Sequence, residues 1–109
     1  MKPVAWLGDS LLRLREFPPE AMHDVGYQLE LVQGGSDRVD WKPMPSIGVG
    51  VSEIRVHADG AFRLIYLAKF PEAVYVLHAF RKKTRKTAKT DIELARRRLR
   101  ALLAERRQS

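Results

Sequence analysis

The sequence predicts an α+β domain: an antiparallel meander of strands, with two helices before it and a basic helix after it. Three observations carry that expectation. Apolar residues recur at three-and-four spacing towards both ends of the chain, the signature of half-buried helices. Between them, two alternating runs flank Ala58-Asp59-Gly60, and a third run, Ala73 to Phe80, is apolar on both sides. The length, 109 residues, suits a single domain, 1–109, with one modest core.

Taken in order, Pro3-Val4-Ala5-Trp6-Leu7 reads as a short first strand. Gly8-Asp9-Ser10 then offers a turn with Asp9 or Ser10 as N-cap for a short helix through Leu11, Leu12, Leu14 and Phe17. Pro18-Pro19 breaks that helix. A second follows, with Met22, Val25, Leu29 and Val32 on one face, and Gly34-Gly35 ends it. Ser36 to Gly50, which contains Pro43, Pro45, Gly48 and Gly50, reads as a loop.

The hairpin from Val51 to Leu67 has a register that can be derived. A two-residue loop at Asp59-Gly60 would set Val56 opposite Arg63 and mix polar with apolar residues on each face. A three-residue loop with Gly60 in the left-handed region instead pairs Val56 with Phe62 and Ile54 with Leu64. That choice separates an apolar face from one carrying Glu53, Arg55, His57 and Arg63, with Arg55 directly opposite Arg63. Like charges so placed destabilise by a few tenths to ~1 kcal/mol, so removing one should leave stability unchanged or slightly higher. The run Ala73 to Phe80, apolar on both sides, predicts a central strand. Thr90-Asp91-Ile92-Glu93 reads as a capping box opening a helix with Ile92, Ala95, Leu99 and Leu102 on one stripe.

Charge is unevenly spread. Residues 1–80 carry 8 Lys/Arg and 10 Asp/Glu, whereas residues 81–109 carry 12 Lys/Arg and 3 Asp/Glu, within a net charge of +7. A near-neutral body with a basic final quarter favours a polyanionic partner. There are no cysteines, which removes disulfides and thiolate metal sites and suits a reducing cytosol. No transmembrane helix or signal peptide is expected, so the chain reads as soluble and cytoplasmic.

Gly8-Asp9-Ser10-Leu11 matches the nucleophile block of one group of serine esterases, but the late Asp-x-x-His pair of that group is absent and the capping role is preferred. His23 reads as a surface histidine and His78 as a core one. Three scattered histidines predict no metal site, and no cofactor is expected. Trp6, Trp41 and Phe80 read as core or interface anchors.

Over nearly its whole length the chain resembles the RelE/HigB toxins of bacterial toxin–antitoxin pairs, in their phage-derived HigB-like branch. The resemblance runs through "WLGDSL", "GYQL" with "VQGG", "DWKPM", "GVGVSEIRV", "GAFRLIYLAKF" and "YVLHAFRKKTRKT". It implies a small RelE-like fold, an endoribonuclease that cleaves translated mRNA on the ribosome, and a helix-turn-helix antitoxin as partner, with no membrane and no small-molecule substrate involved. It also implies that Arg63 meets the scissile phosphate, and it matches the basic run Lys82, Lys83 and Lys86 by region.

The chemistry of those residue types agrees. RNA cleaves by attack of its own 2′-hydroxyl on the adjacent phosphate, which requires stabilised negative charge and proton transfer. The catalytic assignment is Arg63, Arg55 and Lys83, and the RNA-binding assignment is Lys82, Arg85, Lys86 and His57. The base is left open between a lysine of lowered pKa and His57. Two other classes remain: a non-enzymatic gyrase-poisoning toxin on the same fold, and a basic nucleic-acid-binding module without activity.

Overall fold

The computed structural model describes residues 1–36 and 41–108. The elements run β1 (Val4–Trp6), α1 (Ser10–Arg15), α2 (Pro19–Gln33), β2 (Trp41–Pro43), β3 (Val51–His57), β4 (Ala61–Leu67), β5 (Val74–Lys82) and α3 (Lys89–Gln108). The strands form one sheet in the order β1-β5-β4-β3-β2. Pairing from β2 to β5 is antiparallel, and β1 joins β5 in parallel, which makes the sheet mixed.

Two elements depart from the sequence reading. The predicted loop from Ser36 contains β2, whose Trp41 pairs with Ile54 and Pro43 with Ser52. Three residues ending in proline give too weak a strand signal to read, and proline is tolerated there because β2 is an edge strand. Residues 37–40 of that predicted loop lie outside the described residues. The helix α3 also starts two residues earlier than the capping box implies. The Ala88 carbonyl accepts the amides of Asp91 and Ile92, so Thr90 lies within the first turn and Asp91 is free for another task.

The hairpin register is the derived one. Val56 pairs with Phe62, Ile54 with Leu64, and Arg55 with Arg63. The loop is Ala58-Asp59-Gly60, with Asp59 at φ 55 and Gly60 at φ 133, so aspartate shares the left-handed stretch, as its short polar side chain allows.

Helices cover both faces of the sheet. On one, Leu14 and Phe17 with Ala21, Val25, Leu29 and Val32 of α2 pack on Ile54, Val56, Phe62, Leu64 and Val76. On the other, Ala95, Leu99 and Leu102 of α3 pack on Val51, Ile65, Leu67 and Leu77. Each layer removes a continuous apolar surface from water, the main stabilising term. Among the described residues no helix is long and apolar enough to cross a membrane.

One irregularity positions the site. The pairing of β4 with β5 steps from Ile65–His78 to Tyr66–Val76, leaving Leu77 as a bulge. Strict alternation along β5 would put His78 and Phe80 on the same face as Val74 and Val76. The extra residue reverses that parity. Leu77 and Phe80 therefore pack with α3, and Ala79 packs with α2.

The bulge is held by Arg98 of α3. Its Nη1 donates to the Leu77 carbonyl at 2.8 Å and its Nη2 to Asp9 Oδ1 at 2.5 Å. This gives Gly8-Asp9-Ser10 its meaning. Gly8, at φ 54, turns the chain and leaves room: a Cβ there would sit 2.5 Å from Arg98 Nε. Asp9 occupies the N-cap position of α1 without a side-chain capping bond, its carboxylate being given to Arg98 and Arg13. Ser10 is fully buried and donates to the Val76 carbonyl at 3.3 Å, which disposes of a nucleophilic role.

Candidate nucleic-acid interface

The basic run that follows β5 opens into a cleft of about 900 Å³. One wall is the end of α1 with Phe17 and Pro18, the other the first turns of α3, and the floor is β5 from His78 onward. Arg13, Arg81, Lys82, Lys83 and Arg97 line it, against two carboxylates, Glu16 and Asp91. Because β1 pairs with β5 only as far as Val76, among the described residues the later half of β5 has no strand on that side, and the cleft lies beyond β1. Arg81 is oriented by the Phe62 ring, 5.7 Å from its guanidinium carbon, an attraction of cation to ring face.

Inside the cleft, His78 and Asp91 form a pair that the sequence reading missed. His78 is only 3% exposed, stacks on Phe80 with ring centroids 5.0 Å apart, and has Nε2 2.7 Å from Asp91 Oδ1. Burial pushes its imidazole pKa down, against the pull of Asp91, so at neutral pH the ring is neutral. A carboxylate only accepts, so Nε2 carries the proton and donates it. The burial of His78 agrees with the core position that the sequence predicts for it. Its partner was hidden because Asp91 looked like part of a capping box and because the bulge reverses the alternation.

The predicted catalytic and RNA-binding residues fall in different places. Lys82 and Lys83 line the cleft. Arg85 and Lys86 are exposed on the loop after β5, outside the lining. His57 is exposed at the end of β3. Arg55 is half-buried, and Arg63 is only 6% exposed. Neither arginine lines the cleft. Arg63 donates to the Phe62 carbonyl at 3.0 Å, and its Nε lies 3.7 Å from Oε1 of Glu53, itself 2% exposed.

That buried carboxylate corrects the stability expectation for Arg63. The repulsion across the hairpin is answered by an anion, and removing Arg63 would leave Glu53 charged in a dry place. Glu53 Oε2 already has no hydrogen-bond partner among the described residues. Also among the described residues, no group of three or more His, Cys, Asp or Glu side chains is disposed to hold a metal ion.

A sequence model of the phage-derived Gp49-like proteins (DUF891) matches residues 13–100. The chain belongs to that family. Gp49-like proteins are associated with the toxins of toxin–antitoxin systems. The matched span takes in the residues that line both walls of the cleft, from Arg13 to Arg97, and leaves out the first strand and turn, the first half of α1 and the end of α3. No curated protein matches the chain.

Proposed function

We propose that this Gp49-like chain is the toxin of a toxin–antitoxin pair and arrests growth as a ribosome-dependent endoribonuclease acting on translated mRNA, in the manner of the RelE/HigB toxins it resembles. The observation that carries the reading is the cleft beyond β1, where five cations from three separate segments face one space around a histidine–carboxylate pair. Phosphates are attracted by such a cluster, and negative charge developing on the phosphoryl oxygens is stabilised there more than in water.

In this reading Lys82 and Lys83 meet the scissile phosphate first, with Lys83 placed to stabilise the transition state. Arg85, Lys86 and His57 hold flanking RNA outside the cleft. Arg63 and Arg55 reinforce the site from behind Phe80, and Arg63 reaches a phosphate only by giving up Glu53. The partner is a helix-turn-helix antitoxin that neutralises the cationic cleft or lifts α3 from it.

Induction of the chain in a bacterial host, with primer extension on a chosen transcript, tests this. Cuts inside translated codons are expected. Growth arrest with damaged DNA and intact transcripts would point to gyrase instead, and unimpaired growth to a binding module without activity.

A further inference from the structure

We infer that Asp91 is the general base of the cleft and that His78 is the residue that positions it. The inference rests on the RNA-cleaving function just proposed and names the group that function leaves unassigned.

Of the two carboxylates in the lining, Asp91 is the one held at hydrogen-bond distance, whereas Glu16 makes an exposed ion pair with Arg13 at 3.8 Å. Its side chain is 25% exposed, its partner His78 only 3%, so a substrate in the cleft meets the carboxylate and not the imidazole. The 2.7 Å bond from His78 Nε2 to Oδ1 fixes the carboxylate's orientation and leaves Oδ2 for a substrate proton.

A structural role alone accounts poorly for His78. Its Nδ1 is buried and has no hydrogen-bond partner among the described residues. Interiors rarely tolerate such an atom without a compensating use. The side chain is nevertheless held by three devices, namely the stack on Phe80, the bulge at Leu77 and the hold of Arg98 on the bulge carbonyl. The charged groups acting on the imidazole are Asp91, Arg98 and Asp9. The first accepts its proton, and the other two are spent on one another.

Asp91 takes the proton of the 2′-hydroxyl, and the oxygen forms a bond to phosphorus. The bond from phosphorus to the 5′-oxygen breaks, and that oxygen leaves with a proton from the Lys83 ammonium or water. The products are a 2′,3′-cyclic phosphate and a 5′-hydroxyl. Asp91 then releases its proton to solvent, and Lys83 takes one back.

The test is single-turnover cleavage of mRNA on programmed ribosomes between about pH 6 and about pH 8, with ribosome binding and melting temperature measured on each variant. The wild-type profile over this range is the reference for each variant. Asp91→Asn should slow cleavage about 100-fold or more, with binding unchanged, and make the rate rise about tenfold per pH unit as hydroxide replaces the lost base. Asp91→Ser serves in the same comparison if the asparagine variant does not fold. His78→Gln, which keeps a donor for Oδ1, should stay within about tenfold of wild type, whereas His78→Leu should follow Asp91→Asn. A wild-type enzyme that cleaves, beside folded Asp91 variants with wild-type rate and profile, would overturn this assignment and leave the proposed function standing. A wild-type chain that does not cleave would overturn both.

Discussion

At the residue scale, the ion pair beneath the cleft and the glycine behind it make opposite demands on the sequence. Arg63→Ala strands the buried Glu53 and should cost about 3 kcal/mol, so loss of toxicity in that variant would not distinguish catalysis from unfolding. The double variant Glu53→Leu, Arg63→Leu removes both charges and should restore most of that stability. Denaturant titration reads the stability, and growth inhibition by the folded double variant reports whether Arg63 takes part in cleavage. Gly8→Ala forces a Cβ into a left-handed turn and against the Arg98 guanidinium. It should lower stability by about 2 kcal/mol, a fall in melting temperature on the order of 10 °C. His78 adds a pH dependence. Its pKa is lowered from the ordinary 6.5, so the unfolded chain binds a proton before the folded one does, and stability falls as pH drops below about 6.5.

Among the elements, α3 is tied down along its length by polar contacts, and these set what an inhibitor must undo. Arg96 donates to the Ser46 carbonyl at 2.7 Å, Arg98 holds Asp9, and Arg106 grips Glu72 at 2.7 and 3.1 Å while stacking 3.5 Å from the Phe70 ring centroid. The Arg106 guanidinium, with the Tyr75 hydroxyl, pulls the Glu72 carboxyl down to about 2. Its contribution is present above the ordinary 4.5 and lost as pH falls towards about 2. Hydrogen exchange on Arg106→Ala should show faster exchange in the last turns of α3, with amides from Asp91 to Leu99 unchanged, and the wild type at low pH should reproduce the pattern. The elements also show what a sequence displays and what it hides. The hairpin register followed from parity alone, because only one loop length separates Val56 and Ile54 from Arg55 and Arg63. The strand β2 was invisible, since its pairing with Ser52, Glu53 and Ile54 is a long-range fact. The Leu77 bulge was hidden for the same reason: in an all-apolar run either parity reads alike.

At the scale of the whole molecule, the basic quarter of the chain proves to do two jobs. Of its 12 Lys/Arg, Arg96, Arg98 and Arg106 are spent on holding α3 to the turn at Ser46, the strand β5 and the turn at Glu72, and Arg81, Lys82, Lys83 and Arg97 face the cleft. The run of charge was legible from the sequence, but its division was not, because the anchoring arginines recur along α3 among the others. Ribosome association should weaken steeply with salt, each phosphate contact releasing counterions. Sedimentation across a salt series should show Lys82→Ala, Lys83→Ala with a shallower slope than wild type, and Arg106→Ala with the wild-type slope. Ribosome-dependent cleavage is measured by giving the purified chain one defined mRNA in two forms, free and threaded through purified ribosomes, and mapping the 5′ ends produced. Cuts confined to the ribosome-bound form, and lost in the Lys82→Ala, Lys83→Ala variant, are the predicted result. An intact transcript on the ribosome, with the chain bound and folded, would contradict it.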